Sequence, residues 1–390
     1  MDYTTKSYGR NADVAAIYKL FEAGVDISMP GPRRLGKSFL LDRIVEASSA
    51  RNWHAVKVEV AGCRDTRGFF RQVCAKIGSE RSIGKQTLAW LSQRLGQAID
   101  PRTDASGTWY QAFISLDHET YFERLVKTLH EDKQRRWALL VDELPIFLKA
   151  LHDQGKAGVE AARNFMNQLS RWRVDYPHVR WLITGSIGLE PLAQAGNYMG
   201  VLAKFQTYEL ATLTEAEAVD FVIDLAHTGR LLDRQVISAE EAKAIVSEAG
   251  WRSAYYLEAL AKKLSGPPAQ NAADAHIRIQ DAMAKLLQPA ELSTFAVWEE
   301  HLRKHYADQE RDIAVAALTA LAPHPQGLGL DILLATINRP DLSKDALRKL
   351  LMRLDVEGFV SIDNWDAASP RAAFRNVLLR RWWQRFPPTV

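Results

Sequence analysis

The chain has 390 residues, which at about 150 residues per domain makes room for two to three domains and excludes a single small binding module. Hydrophobic residues at 47% and charged residues at 25%, with 22 Gly and 15 Pro, exclude collagenous and low-complexity classes. Lys plus Arg at 50 against Asp plus Glu at 47 gives a net charge of +3, so any nucleic-acid footprint must be local.

Met1 to Arg10 is polar, and no run approaches the roughly 20 apolar residues of a membrane span; the expectation is a cytoplasmic protein without a signal peptide or membrane anchor. Cys63 and Cys74 have no neighbouring His or Cys, so they suit neither a zinc site nor a disulfide framework and fit a reducing compartment.

From residue 20 to 210, short apolar runs alternate with longer helical patterns, the order of parallel strands linked by crossover helices. Predicted strands are Val25 to Met29, His54 to Val60, Trp137 to Val141, Val179 to Thr184 and Gln206 to Leu210. Those at 137 and 179 are near-continuous apolar runs suited to burial on both faces. Residues 79–108 read as an insertion, punctuated by Gly84, Gly96, Pro101 and Gly107 around an amphipathic piece at Leu88 to Leu95. From Thr214 the text turns helical, opened by the capping box Thr214, Glu215, Ala216, Glu217. Ser265 to Asn271 has linker composition, and helical text follows to about His305.

Gly31, Pro32, Arg33, Arg34, Leu35, Gly36, Lys37, Ser38 fits G-x-x-x-x-G-K-[ST] between a predicted strand and the helical run that starts at Phe39. In such a loop, backbone N–H groups turn in on an anion and the helix N-terminus adds positive potential. Lys37 reaches the β and γ phosphates and Ser38 ligates magnesium, while Phe39 closes the binding segment. The bland alternative is a glycine-bounded turn with a solvated lysine.

Roughly 105 residues after Lys37, the apolar strand ending in Asp142 and Glu143 supplies two carboxylates where strand ends collect ligands. Asp142 suits magnesium and Glu143 suits polarising the water that attacks the γ phosphate. Thr184 and Ser186 end the next strand; they either read the γ phosphate and orient water or merely cap the strand.

These pieces, with Tyr8, Gly9 and Arg10 ahead of the first helix, resemble the archaeal-type ATPases of the STAND class, relatives of the AAA+ P-loop NTPases. The resemblance covers roughly Tyr8 to Leu264 and, more weakly, the C-terminal unit. It implies ATP as the nucleotide with Mg2+, and places Gly9 and Arg10 near the adenine. The family's Gly-x-Pro lid motif has a counterpart in Gly250, Trp251, Arg252, Ser253, Ala254, Tyr255, without the proline; there Arg252 is either a second sensor of the γ phosphate or a solvated arginine. The family also places an arginine after the third-strand hydroxyls for use across an oligomer. None lies between Ile187 and Tyr208, so Lys204, Arg171 or Arg173 would have to substitute. Such arginines contribute about 10³ to 10⁵ in rate, and the expectation is slow turnover.

Residues 313–390 predict a winged helix. Helices at Ile313 to Leu321, Gly329 to Ala335 and Ser343 to Val356 precede a hairpin of Gly358 to Ile362 with Ala373 to Arg375. The third helix carries Lys344, Arg348, Lys349 and Arg353 beside the inward Leu347, Leu350, Leu351 and Leu354. The tail adds Arg371, Arg375, Arg380, Arg381 and Arg385, interleaved with Trp382 and Trp383, which suits duplex DNA as well as it suits a packing module with a solvated face.

The reading is therefore an α/β P-loop NTPase with a parallel AAA+-like sheet, a helical lid and a C-terminal winged helix. The expected domains are an ATPase domain at 1–212, a lid at 213–266, a helical linker at 267–312 and the winged helix at 313–390. The function expected is a magnesium-dependent ATPase switch coupled to DNA, a protein partner or further copies of the chain. The alternatives are a nucleotide-stabilised interaction protein without hydrolysis, and a DNA-binding regulator of a mobile-element or defence system.

Overall fold

The computed structural model describes residues 10–80, 83, 85–95, 118–227, 231, 236–365 and 370–388. The chain divides into two compact units, one of residues 10–31 and 37–210, the other containing residues 32–36 and 211–390 as far as described.

The first unit is built on a five-stranded parallel sheet of β1 (Ile27–Pro30), β2 (Trp53–Glu59), β3 (Arg136–Asp142), β4 (Val179–Gly185) and β5 (Gln206–Thr207), in the order β2-β3-β4-β1-β5. Its helices are α1 (Asn11–Glu22), α2 (Lys37–Ser48), α3 (Thr66–Ser79), α4 (Lys85–Leu95), α5 (His118–His130), α6 (Leu144–His152), α7 (Lys156–Asp175), α8 (Glu190–Gly196) and α9 (Met199–Leu202). Side chains alternate along a strand, so Leu139, Val141, Trp181 and Ile183 enter one core. There they meet an aromatic cluster in which Phe70 stacks on Phe122 at 4.5 Å and Phe69 meets Phe165 edge-on at 4.7 Å. The opposite parity puts Leu140, Asp142, Leu182 and Thr184 on the other face. There Lys57 of β2 donates to the Ser38 carbonyl of α2 at 2.9 Å.

Two predicted strands differ by more than one residue at an end. The first begins at Ile27 rather than Val25 and runs to Pro30, while Asp26 precedes it as a buried acceptor for Arg173 and the Trp181 backbone N–H. The last stops at Thr207 instead of reaching Leu210. Within the predicted insertion, α4 buries Leu88, Leu91 and Leu95, so the amphipathic piece belongs to the core; residues 96–108 lie outside the described residues.

The second unit is helical up to its C-terminal part: α10 (Glu215–Leu225), α11 (Ala239–Ala249), α12 (Ala254–Ala261), α13 (Ala272–Leu286), α14 (Leu292–His305), α15 (Asp308–Leu321), α16 (Leu330–Ile337), α17 (Lys344–Val356) and α18 (Val377–Arg385). Full capping boxes open α10 and α11, at Thr214 with Glu217 and at Ser238 with Glu241. The stretch at 265–271 is a bonded turn: Lys285 Nζ donates to Ser265 Oγ at 2.8 Å, and Asn271 caps α13. Near the C-terminus, α15, α16 and α17 combine with a three-stranded antiparallel sheet of β6 (Leu328–Gly329), β7 (Val360–Asp363) and β8 (Arg371–Phe374), ordered β6-β8-β7. Ser343 caps α17 as expected, and Leu347, Leu350, Leu351 and Leu354 are buried. Among the described residues, no helix is long and apolar enough to cross a membrane.

Candidate functional site

The loop that leaves β1 runs straight into α2. Gly31 N donates to Gly185 O at 3.2 Å, which ties the start of the loop to the end of β4. Gly36 adopts φ +98 and Arg34 φ +66. A non-glycine residue in the left-handed region costs of order 1 kcal/mol, a strain typical of ligand-binding loops. Lys37 is 5% exposed, and its Nζ donates to the Gly31 carbonyl at 2.5 Å across the loop.

In the sheet order, β4 lies between β1 and β3, so the end of β4 stands between the loop and the carboxylates. Asp142, 3% exposed, accepts from Ser38 Oγ at 2.7 Å on one carboxylate oxygen and from Thr184 Oγ1 on the other. Glu143 has left-handed backbone at φ 62 and ψ 39, ahead of α6. Its Oε2 accepts from both Ser186 N and Ser186 Oγ at 2.9 Å, and its own N–H donates to Thr184 Oγ1 at 3.4 Å. Lys37, Ser38, Asp142, Glu143, Thr184 and Ser186 are thus brought together by strand ends whose residues lie far apart in the chain.

The donors fit magnesium. A hydroxyl and a carboxylate already 2.7 Å apart are hard oxygen ligands converging on one point, and water and phosphate would supply the remaining positions.

Arg10, 5% exposed, pairs with Asp13 at 3.1 Å, and Asp13 also accepts from Tyr208 Oη at 2.5 Å. Burial and that bond push the Tyr208 hydroxyl's pKa up. Gly9 lies outside the described residues.

The three cations considered as substitutes for a transferring arginine have partners within the chain. Arg173 Nε donates to Asp26 at 2.6 Å, Arg171 pairs with Glu123 at 2.9 Å, and Lys204 Nζ donates to Ser170 at 2.8 Å.

In the second unit, Arg252 Nε donates to the Leu213 carbonyl at 2.7 Å. Residues 32–36 of the loop group with this unit. Pro32 is buried against Gly358, where a side chain would overlap it; Arg33 lies 3.4 Å from His305 Nε2, and Arg34 stacks at 4.0 Å over Tyr255. Sequence reasoning passed over Lys57, although a single lysine inside an apolar strand was the available signal. It also passed over Ser253 and Tyr255, where nothing in the spacing distinguished them from Arg252.

The predicted DNA-contacting residues are largely spent within the unit. Arg348 donates to the Trp365 carbonyl at 2.5 Å and Lys344 pairs with Asp331 at 2.5 Å. Arg353 holds Glu357 at 3.0 Å and Glu310 at 2.7 Å. Arg371 donates to Gln326 O and Gly327 O, Arg375 pairs with Asp355, Arg380 donates to Ala322 O, and Arg381 pairs with Glu248. Lys349 is exposed, beside the exposed Met352 and Val356 on the same helix.

No protein-family model and no curated protein matches the chain. Solved structures do. The Walker-type ATPase PABY2304 of Pyrococcus abyssi superposes with a TM-score of 0.64 at 13% identity, over 97% of this chain and 98% of that one. The Aeropyrum pernix ORC2 protein, solved as ADPNP and ADP complexes, superposes at 0.54 and 12% identity, over 98% and 95%. The chain shares the fold of these two proteins along nearly its whole length.

Proposed function

We propose that the protein binds ATP with Mg2+ at the loop of residues 31–38 and hydrolyses it slowly, as a conformational switch working in the cytoplasm. The observation that carries this reading is Ser38 and Asp142 held 2.7 Å apart beside Lys37, with Glu143 next in the chain. Lys37 takes the β and γ phosphates, Ser38 and Asp142 hold the metal, and Glu143 accepts a proton from the attacking water. A magnesium ion held by Ser38 and Asp142 would offset the negative charge of the phosphates. Thr184 keeps Asp142 oriented. Ser186 holds the Glu143 carboxylate at Oε2, which leaves the other oxygen to take the proton of a water. Arg10, with Gly9 before it, belongs to the base-binding side of this reading.

The output passes through the C-terminal unit to DNA, a protein partner or another copy of the chain. With most of its basic side chains already bonded, a DNA contact engages few phosphates and so shows a shallow salt dependence, since the slope scales with phosphates neutralised at about −0.9 each. A second reading, nucleotide binding without hydrolysis, is favoured by the internal pairing of Arg171, Arg173 and Lys204.

The test is phosphate release with Mg-ATP, titrating protein and duplex DNA at two salt concentrations, beside direct nucleotide binding. Lys37→Ala is expected to lose binding, and Glu143→Gln to keep binding and lose about 10² to 10⁴ in rate. Wild-type turnover equal to that of Glu143→Gln, with tight binding in both, supports the second reading; unchanged binding in Lys37→Ala refutes both.

A further inference from the structure

Helix α12 begins after a serine, the residue type whose hydroxyl ordinarily accepts from a backbone N–H of the first turn. Ser253 occupies that cap position, yet its side chain makes no capping bond. Its Oγ donates instead to the backbone carbonyl of Arg34, and Ser253 is 1% exposed. Two residues on, the half-buried Tyr255 ring lies 4.0 Å beneath the Arg34 guanidinium. Arg34 is the left-handed residue of the loop, at φ +66, a conformation that persists only where neighbours hold it. The first turn of α12 thus gives up its own cap and grips the one strained residue among 32–36, by its carbonyl and by its side chain. Arg252, adjacent in the sequence, is turned to Leu213 and takes no part.

We propose that Ser253 and Tyr255 are positioning residues for the phosphate loop: they hold Arg34 in its left-handed conformation, so that the loop presents its N–H groups to a nucleotide's phosphates. This inference rests on the reading of residues 31–38 as a nucleotide site. Ser253 acts on the backbone and Tyr255 on the guanidinium, so neither is required to touch the nucleotide. Their loss weakens binding, seen in Kd and KM, and leaves the turnover of the bound complex nearly unchanged.

The experiment measures binding of a fluorescent ATP analogue, together with KM and kcat for phosphate release, on the full chain. Ser253→Ala is expected to weaken affinity about fivefold to tenfold, the range of one hydrogen bond, with Ser253→Thr recovering most of it. Tyr255→Leu is expected to weaken affinity about threefold, whereas Tyr255→Phe, which keeps the aromatic face, stays near wild type. A purely structural role would not separate Phe from Leu in this way once their melting temperatures are matched. Should Ser253→Ala fail to fold, the tyrosine pair decides alone. Affinities of Ser253→Ala and Tyr255→Leu both within twofold of wild type overturn the proposal, as does equal weakening by Phe and Leu. Wild type and Lys37→Ala run alongside. If wild type binds and Lys37→Ala does not, a negative result falls on Ser253 and Tyr255 only. If wild type binds no nucleotide, the site reading and this inference fall together.

Discussion

Asp26→Asn tests how far the first unit depends on one buried carboxylate. Asp26 is 2% exposed. It accepts from Arg173 Nε at 2.6 Å and from the Trp181 N–H at 2.8 Å, with Arg180 NH1 at 3.6 Å. The side chains of Arg173 and Arg180 are themselves 10% and 5% exposed. Asparagine keeps the shape and an acceptor for Trp181, but leaves two guanidinium groups buried without an anion. Removing one partner of a buried ion pair costs about 3 to 5 kcal/mol. For a unit of roughly 200 residues, at about 2 to 4 °C per kcal/mol, the melting temperature falls by roughly 6 to 20 °C. Thermal unfolding followed by circular dichroism reads this directly, and the loss should persist at high salt because the pair is shielded from solvent ions. The double change Asp26→Asn with Arg173→Met should recover part of it. A melting temperature within about 2 °C of wild type refutes the reasoning and would return Arg173 to the set of arginines available to a neighbouring subunit.

His54 is buried beside Trp137, with ring centroids 4.5 Å apart, and burial first, then the Arg135 charge, push its pKa down to about 4. The native state holds it neutral while the unfolded chain takes up a proton below about pH 6.5, so stability is lost as pH falls from there towards 4. With allowance for solvent screening, wild type should lose about 1 to 2 kcal/mol from this group between pH 7 and 5. Urea titrations should show a smaller loss in His54→Phe; an equal loss in both would place the acid sensitivity elsewhere. At Gly185, an added Cβ would overlap the Pro145 ring. Gly185→Ala should therefore push the end of β4 away from α6, displace Ser186 from Glu143, and change phosphate release at least tenfold. A rate within twofold of wild type would show that the Ser186–Glu143 contact does not bear on turnover.

The strands at 137 and 179 were legible because burial on both faces writes itself as an unbroken apolar run, and the loop was legible because glycine spacing and Lys37–Ser38 form a local pattern. Long-range convergence was legible in outline: Asp142, Glu143, Thr184 and Ser186 were named from strand ends, and the sheet order does bring those ends together. The predicted first strand starts too early because it runs through Asp26, and nothing local shows that this residue is held ahead of the strand by a buried arginine 147 positions away. In Gly250 to Tyr255 the text says that a helix starts, not which side chain turns towards residues 32–36: Ser253 bonds the Arg34 carbonyl and Arg252 the Leu213 carbonyl. The basic tail shows the same limit. Counting arginines records donors, but Asp355, Glu248 and backbone carbonyls were the acceptors waiting for them.

The placement of β4 between β1 and β3 also bears on how the protein is made. The loop and α2 leave the ribosome early, but Thr184 and Ser186, which orient both carboxylates, follow Ser38 by roughly 150 residues, or about 7 to 30 s of synthesis at 5 to 20 residues per second. Until that central strand slots between its two neighbours, β1 and β3 expose unpaired edges and no complete site exists for a ligand to stabilise. The nascent chain crosses that interval with two strand edges open, and chaperones are what can guard it there.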